Sequence, residues 1–135
     1  MADQELVKKW LLKADNDFFY AKASLEDELK FFDLICFHFQ QSAEKYLKAY
    51  IIAHDLEFRK IHDLAALVET CKRDDSSFSE IQEACLFLQR FYIEPRYPAS
   101  IMFDYTKEDA EKALESAEII RAFVIEKLKH ETLPK

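Results

Sequence analysis

The chain has 135 residues, of which 50% are hydrophobic and 33% charged, with a formal net charge of −7 at pH 7 and no glycine. This composition fits one soluble globular domain over residues 1–135, large enough to bury a core, and excludes a disordered chain. The lack of glycine argues against Gly-rich phosphate loops and tight β-turns, and the acidic charge disfavours broad nucleic-acid binding, which needs a basic face.

The sequence gives no sign of a membrane or secretory protein. No apolar run follows a basic segment near the start, and no apolar stretch approaches the roughly 18 residues of a membrane span. We therefore expect a cytoplasmic protein. Three scattered cysteines predict buried free thiols rather than disulfides or a thiolate metal site: Cys36, Cys71 and Cys85. The histidines lack ligand spacing, so neither a metal nor a cofactor is predicted.

The first predicted helix covers residues 3–29. Its apolar side chains recur along one arc, as an amphipathic bundle helix requires: Leu6, Val7, Trp10, Leu11, Ala14, Phe18, Ala21 and Leu25. Asp17 falls inside this arc, and a carboxylate there should be paired, because unpaired burial is costly. Since Arg121 lies within the apolar arc of the last helix, we predict an Asp17–Arg121 ion pair; the alternative is a catalytic role for Asp17.

A short connection leads into the central helix, predicted over residues 33–54 and antiparallel to the first. Its broad apolar arc contains Cys36, Phe39, Ala43, Tyr46, Leu47 and Tyr50. An adjoining polar arc, solvated for most of its extent, contains His38, Gln41, Ser42, Lys45 and Lys48. His38, Gln41 and Lys45 border the apolar face, where polar side chains are often partly buried and need partners. They are the first candidates for a site.

The third helix is short, marked by Leu64 and the apolar residues after it, with Asp63 as its N-cap. A capping box of Ser77 and Glu80 is predicted to open the fourth helix, which should stop before Pro95. The loop at residues 94–105, EPRYPASIMFDY, carries two prolines and several aromatic residues. Loops held by rigid scaffolds often carry function.

Thr106 and Asp109 open the fifth predicted helix, which runs to about residue 129 before a tail at 130–135 that we expect to fray. No repeat or linker interrupts the pattern. The sequence thus predicts an all-α, up-and-down bundle of four main helices plus one short helix.

Three stretches together resemble the HEPN family of small helical domains. They are CFHFQQSAEKYLKAYI at 36–51, HDL at 62–64, and RFYIEPRYP at 90–98 followed by YTKEDAEKALESAE. The resemblance implies an up-and-down bundle, usually a homodimer, related to the helical domain that accompanies nucleotidyltransferases such as kanamycin nucleotidyltransferase. Many prokaryotic members are encoded beside a minimal nucleotidyltransferase and are thought to pair with it. Nucleotide binding has been proposed for the group.

Other members of the family are metal-independent ribonucleases, often toxins, with an Arg-x4–6-His motif. None of the arginines here is followed by a histidine at that spacing. The interval from Arg59 to His62 is too short, and the interval from Arg121 to His130 is too long. No catalytic residue is therefore predicted.

The leading hypothesis is a non-catalytic binding and partner module, with a nucleotide or phosphate ligand and a minimal nucleotidyltransferase as its possible partners. The candidate ligand-binding residues are His38, Gln41, Lys45, His62, Arg96 and Tyr97. Arginine and lysine would bind phosphate oxygens, Tyr97 or Tyr92 would stack on a base, and the glutamine would bond base or sugar atoms. The same side chains could instead only tie the helices and the loop together.

Two alternatives remain. The first is a ribonuclease toxin with an atypical pair, His62 with Arg96 or Arg90, in which the histidine acts as general acid or base. The second is a purely structural dimer or heteromer subunit whose interface is formed by exposed aromatic residues. The candidates for that interface are Phe91, Tyr92 and Phe103, although the same residues could simply cover the end of the bundle.

Overall fold

The computed structural model describes residues 3–57, 62–92 and 105–132. Its elements are α1 (Gln4–Ser24), α2 (Phe32–Ala53), α3 (Leu64–Asp74), a 3₁₀ segment (Ser76–Ile81), α4 (Gln82–Gln89) and α5 (Lys107–Thr132). These ranges contain no strand, so the predicted all-α bundle is confirmed. Among the same residues, no helix combines the length and apolar character that crossing a membrane requires.

Helix α2 is the centre of the bundle, because α1 and α5 both pack along it while α3 and α4 also contact it. Thirteen of its 22 residues are buried, against four of 21 in α1, so α2 is enclosed and α1 covers one side of it. All six residues of the predicted apolar arc are buried. The polar arc differs from expectation at Ser42 and Lys48, which are also buried, because neighbours cover α2 on more than one side.

The C-terminal end of α1 differs from the end that the apolar periodicity predicted. Asp3 caps the helix as its side chain accepts from the backbone N–H of Glu5, but the helix ends at Ser24, five residues earlier than predicted. Leu6, which the predicted arc included, is 38% exposed, and Leu29 is 75% exposed. Residues that bury no apolar surface gain little from continuing a helix.

Helix α2 ends in a tight C-terminal motif although the chain has no glycine. The N–H of Leu56 donates to the carbonyl of Ile51 at 2.9 Å, the bond of a Schellman motif. Asp55 takes the left-handed position with φ of 52°, the place that glycine usually occupies. Aspartate is one of the few other residues that tolerates this conformation.

The predicted cap of α3 is confirmed, since the Asp63 side chain accepts from the N–H of Ala65 at 2.9 Å. The prediction of a capping box between Ser77 and Glu80 is wrong. The hydroxyl of Ser77 donates to Asp75 at 2.6 Å, and Asp75 caps a 3₁₀ segment instead. Because Phe78 and Ile81, three residues apart, are both buried, the 3₁₀ repeat of three residues per turn suits this stretch.

The C-terminal end of α4 and both ends of α5 lie closer to the positions predicted from the sequence. Helix α4 stops at Gln89, and the 3₁₀ start makes it shorter than α3, so the described bundle has three long and two short helices. Thr106 and Asp109 form a reciprocal capping box, with N–H to oxygen distances of 2.9 and 3.1 Å, as predicted. Helix α5 continues to Thr132, three residues beyond the predicted end.

The three cysteines are free and buried, as the sequence predicts. Burial raises the pKa of Cys36 and of Cys85 to about 12. A thiol with so high a pKa forms almost no thiolate near neutral pH, so these side chains act as packing groups in the core.

Candidate functional site

Three of the predicted site residues, His38, Lys45 and His62, belong to two clusters to which α2 contributes side chains. In the first, the His38 cluster, His38 and Lys45 meet Asp17 of α1. The Nδ1 atom of His38 lies 3.0 Å from Asp17 Oδ1, and Lys45 Nζ donates to Asp17 Oδ2. The expected pairing of this carboxylate is therefore confirmed, and the cluster ties α1 to α2.

The predicted partner of Asp17 is wrong, because Arg121 bonds Asp15 instead. Its Nε donates to Asp15 Oδ1 at 3.1 Å, and the Tyr46 hydroxyl donates to the same oxygen. At 100° per residue, Asp15 and Asp17 flank the buried stripe of α1 on opposite sides, so they face different neighbours. A helical wheel gives each arc but not the rotation of one helix against the next.

Electrostatics within the His38 cluster favour the ionised form of Asp17. Burial alone would raise the pKa of Asp17, but the hydrogen bonds and charges of His38 and Lys45 outweigh it, so the pKa lies below its ordinary value. Burial and the adjacent Asp15 carboxylate raise the pKa of the Tyr46 hydroxyl, which keeps that group a hydrogen-bond donor.

Gln41, the third candidate on this helix, turns toward its neighbour. Its amide Nε2 donates to Oε1 of Gln40 at 2.8 Å. Gln40 is fully buried, and its own Nε2 has no hydrogen-bond partner among the residues that the structure describes. Among the described residues neither amide hydrogen-bonds His38 or Lys45, so the predicted His38–Gln41–Lys45 edge is not joined into one network.

The second cluster, the His62 cluster, forms around the buried carboxylate of Glu44. Lys48 Nζ donates to Glu44 at 2.9 Å, and Nδ1 of His62 lies 3.0 Å from the same oxygen. The side chains of Glu44 and Lys48 are 4% and 5% exposed, whereas that of His62 is 49% exposed. Lys48 also lies over the ring of Trp10, and His62 stacks on Tyr92 with ring centroids 5.2 Å apart.

This arrangement presents one imidazole edge from a fixed position. With Nδ1 engaged by Glu44 and one face covered by Tyr92, the ring of His62 has little freedom to rotate. No described residue bonds its Nε2. That nitrogen accepts a hydrogen bond when the imidazole is neutral and donates one when it is protonated.

A third histidine, the C-cap residue of α2, has similar partners but a more covered position. Nδ1 of His54 lies 2.8 Å from Asp74, and the Tyr50 hydroxyl donates to the same carboxylate oxygen at 2.6 Å. The rings of His54 and Tyr50 stack with centroids 4.0 Å apart, and His54 is only 23% exposed. This group joins the end of α2 to α3 and provides a matched comparison for His62.

The remaining candidate residues come from the end of α4 and from the loop that follows it. Arg96, Tyr97 and Phe103 lie outside the described residues. Arg90 lies over the ring of Phe87, 4.4 Å from its centroid, and does not contact His62, so the described contacts do not form the alternative His62–Arg90 pair.

One of the aromatic residues predicted to form the interface of a purely structural subunit is not exposed. Phe91 is 1% exposed, packed edge-on against Phe87 and Tyr105, so the expectation that it is exposed is wrong. The bundle needs an apolar side chain there to close the end of α4.

Sequence reasoning missed Glu44 as the centre of a site and treated Lys48 as a solvated residue. A usable signal was present, because a glutamate four residues before a lysine on a helix predicts an intrahelical ion pair. Burial of that pair could not be read from spacing. Within residues 3–57, 62–92 and 105–132, no three histidine, cysteine or carboxylate side chains are grouped as a metal site requires.

Comparisons with known proteins point to one family. The HEPN domain profile matches residues 7–128. The solved structure of TT1696 from Thermus thermophilus is 31% identical, with a TM-score of 0.75 over 90% of this chain and 97% of that chain. ST0689, an archaeal HEPN homologue, is 26% identical, with a TM-score of 0.72 over 90% and 96% of the two chains. A search among curated proteins finds no match.

Proposed function

This chain belongs to the HEPN domain family, and from that premise we propose that it is a non-catalytic binding and partner module whose ligand is a nucleotide or another phosphate compound. The observation that supports the proposal is the half-exposed imidazole of His62, held by buried Glu44 and stacked on Tyr92. A side chain positioned in this way is organised before a ligand arrives, which lowers the entropic cost of binding.

With a protonated imidazole, the His62 cluster would favour an anion. Glu44 and Lys48 neutralise each other at 2.9 Å, so protonation of His62 leaves the cluster with one positive charge. The Nε2–H of the imidazolium would donate a charge-assisted hydrogen bond to a phosphate oxygen. Arg96 and Tyr97 are proposed as the further phosphate and base contacts. His38 and Lys45, already bonded to Asp17, serve the scaffold in this proposal.

The remaining parts of the proposal follow from the family resemblance. The Arg-x4–6-His motif is absent, which supports a non-catalytic role. The proposed protein partner is a minimal nucleotidyltransferase, and the proposed self-association is a homodimer, which sedimentation analysis would test. Three free, buried cysteines agree with action in the reducing cytoplasm.

Calorimetric titration with ATP tests the ligand. We expect the wild-type chain to bind, and His62→Ala to weaken binding about tenfold or more, as for the loss of one charge-assisted hydrogen bond. His54→Ala is the matched control, because it removes another carboxylate-bonded, stacked histidine, and it should leave affinity unchanged. No heat with wild-type protein at millimolar ATP would refute nucleotide binding.

A ribonuclease with an atypical site is the second candidate, and the His62–Glu44 contact is the observation that favours it. A histidine oriented by a carboxylate is a common form of general base. An RNA-degradation assay comparing wild type with His62→Ala decides the matter. Equal background cleavage by the two proteins rejects the nuclease.

A further inference from the structure

A group of exposed apolar side chains lies where the chain turns from α1 into α2. Nine large hydrophobic side chains are exposed among the described residues, and four of them line one hollow at this turn. They are Tyr20, Leu29, Phe31 and Leu34. The hollow, which we call the α1–α2 hollow, has a volume of about 430 Å³. Single exposed apolar residues are ordinary, but several gathered at one place indicate an interaction surface.

Phe31 stands at this hollow in a position that local helix rules do not favour. It is the N-cap residue of α2 and forms no side-chain hydrogen bond there. Serine, threonine, aspartate and asparagine are preferred at an N-cap, because their oxygens satisfy the free N–H groups of the first turn. The side chain is also 59% exposed, so the core covers less than half of it. A residue that breaks a local rule without a compensating contact is expected at a functional position.

The charge around the hollow is mostly of one sign. The charged side chains that line it are Asp27 and Glu28. Glu26 and Asp33 are close to them in the sequence, and Lys30 is the single cation between those two residues. None of the four carboxylates forms an ion pair with a described residue. The α1–α2 hollow is therefore an apolar surface with a negatively charged border.

These features specify the chemistry of an occupant. A carboxylate border attracts cationic side chains and repels the phosphate groups of nucleic acids and anionic lipids. Exposed aromatic and aliphatic side chains lose water favourably when an apolar face covers them. A second copy of the chain, docked through the same hollow, would bring an equally acidic border against the first, and like charges oppose association. The fitting occupant is a segment of another protein with apolar side chains flanked by lysine or arginine.

We infer that the α1–α2 hollow is a docking site for a basic amphipathic helix of another protein, since such a helix presents its apolar side chains on one face. In this arrangement apolar side chains of the partner cover Phe31 and Leu34, and its cations meet Asp27 and Glu28. The inference deepens the partner role in the proposed function and rests on it. His62 does not line the hollow, so the two sites can be tested separately.

Fluorescence anisotropy with two labelled synthetic peptides of roughly 18 residues tests the site, a length at which an isolated helix can form. One peptide carries leucines on one face flanked by lysines, and the other has glutamate at each lysine. We expect the full chain to bind the lysine peptide about tenfold more tightly, and added salt to narrow the difference. Equal affinities, or binding of neither peptide at about 1 mM, would overturn the inference.

Charge variants of the full chain locate the binding, because a chain with a net charge of −7 attracts a lysine peptide at other faces as well. Asp27→Lys with Glu28→Lys should abolish the preference for the lysine peptide. Glu111→Lys with Glu115→Lys, which makes the same change in net charge at exposed positions of α5, should preserve it. If the two double variants behave alike, the hollow is not the docking site.

A substitution at Phe31 separates docking from folding. Serine is a preferred N-cap residue, so Phe31→Ser should melt at a temperature no lower than the wild type does. We expect the same variant to bind the lysine peptide about fivefold more weakly, because the partner loses an apolar contact. A lower melting temperature would show that the ring supports the fold, and unchanged binding would show that it makes no contact. Either result would overturn the inference.

Two further measurements separate this site from the proposed ligand site and from self-association. His62→Ala should leave peptide binding unchanged. A wild-type chain that binds the lysine peptide but not ATP refutes the nucleotide ligand alone, and one that binds ATP but not the peptide refutes the docking site alone. Sedimentation should give the same oligomeric state for the wild type and Phe31→Ser, and a difference would overturn the inference in favour of a second copy in the hollow.

Discussion

The His38 cluster and the His62 cluster contain the same three kinds of side chain, a histidine, a carboxylate and a lysine, but they distribute burial differently. In the first, Asp17 belongs to α1 while the histidine and lysine belong to α2, and all three are 16–30% exposed. In the second, the carboxylate and lysine are both on α2 and almost fully buried, while the histidine is half exposed.

The comparison teaches that chemical composition does not decide the role of a polar group. A carboxylate shared between two helices holds them together, and water still reaches each partner. A carboxylate buried beside its own helix's lysine already has its charge compensated, so it can orient a further residue at the surface. The second arrangement leaves more of its imidazole open to a ligand, 49% of the side chain against 30% in the first.

Removing the buried carboxylate should have the largest effect. We expect Glu44→Ala to lower the free energy of unfolding by about 3–5 kcal/mol, because it breaks a nearly buried ion pair with Lys48. Urea denaturation measures the change. Asp17→Ala is the control, and a loss at least as large in that variant would contradict the distinction between the clusters.

The cross-helix contact should contribute less. Asp17→Ala is expected to cost about 1–2 kcal/mol, since its partners His38 and Lys45 can regain water at their partly exposed positions. A double-mutant cycle with Lys45→Ala should give a coupling energy near 1 kcal/mol. The same cycle between Asp17 and Arg121 should give none, and a measurable coupling there would contradict the observed pairing.

Acid should weaken the His38 cluster in a defined direction. The pKa of Asp17 is below its ordinary value of 3.8 in the folded chain, so its contribution is complete above that pH and is lost as pH falls through the folded pKa. The stability difference between wild type and Asp17→Asn should therefore shrink as pH falls below about 5 and through the folded pKa. Urea midpoints measured across this range check the trend, and a constant difference would refute it.

Truncating the exposed histidine should have the smallest effect on stability. We expect His62→Ala to change the free energy of unfolding by about 0.5 kcal/mol or less, because Glu44 keeps its bond to Lys48. His38→Ala should cost more, since it removes one of the contacts between α1 and α2. Thermal melts of the two variants make the comparison, and a larger loss for His62 would mean that it is structural.

Much of the scaffold was predictable because it depends on local rules. The apolar arc of α2, the cap at Asp63 and the capping box at Thr106 follow from periodicity and from the hydrogen bonds that helix ends require. The 3₁₀ start after Asp75 was missed, because the same apolar spacing fits a 3₁₀ turn once a side chain tightens the entry.

The candidate site was predictable only in part. His62 was expected beside the Asp63 cap of the short helix, where it lies, but nothing in the sequence indicated that Glu44 of α2 would be its partner. The family motif contains Glu44 and Lys48 without showing that they are buried. Burial depends on which other helices cover α2, and no local pattern records that.

The sequence by itself determined the all-α class, the order of the helices and the family, because periodicity, capping and motif spacing are properties of neighbouring residues. Tertiary structure alone decided that Asp17 bonds His38 and Lys45, that Arg121 bonds Asp15, and that Glu44 lies buried beneath a half-exposed His62. The physical reason is that the rotation and depth of each helix are set by how all the side chains pack together.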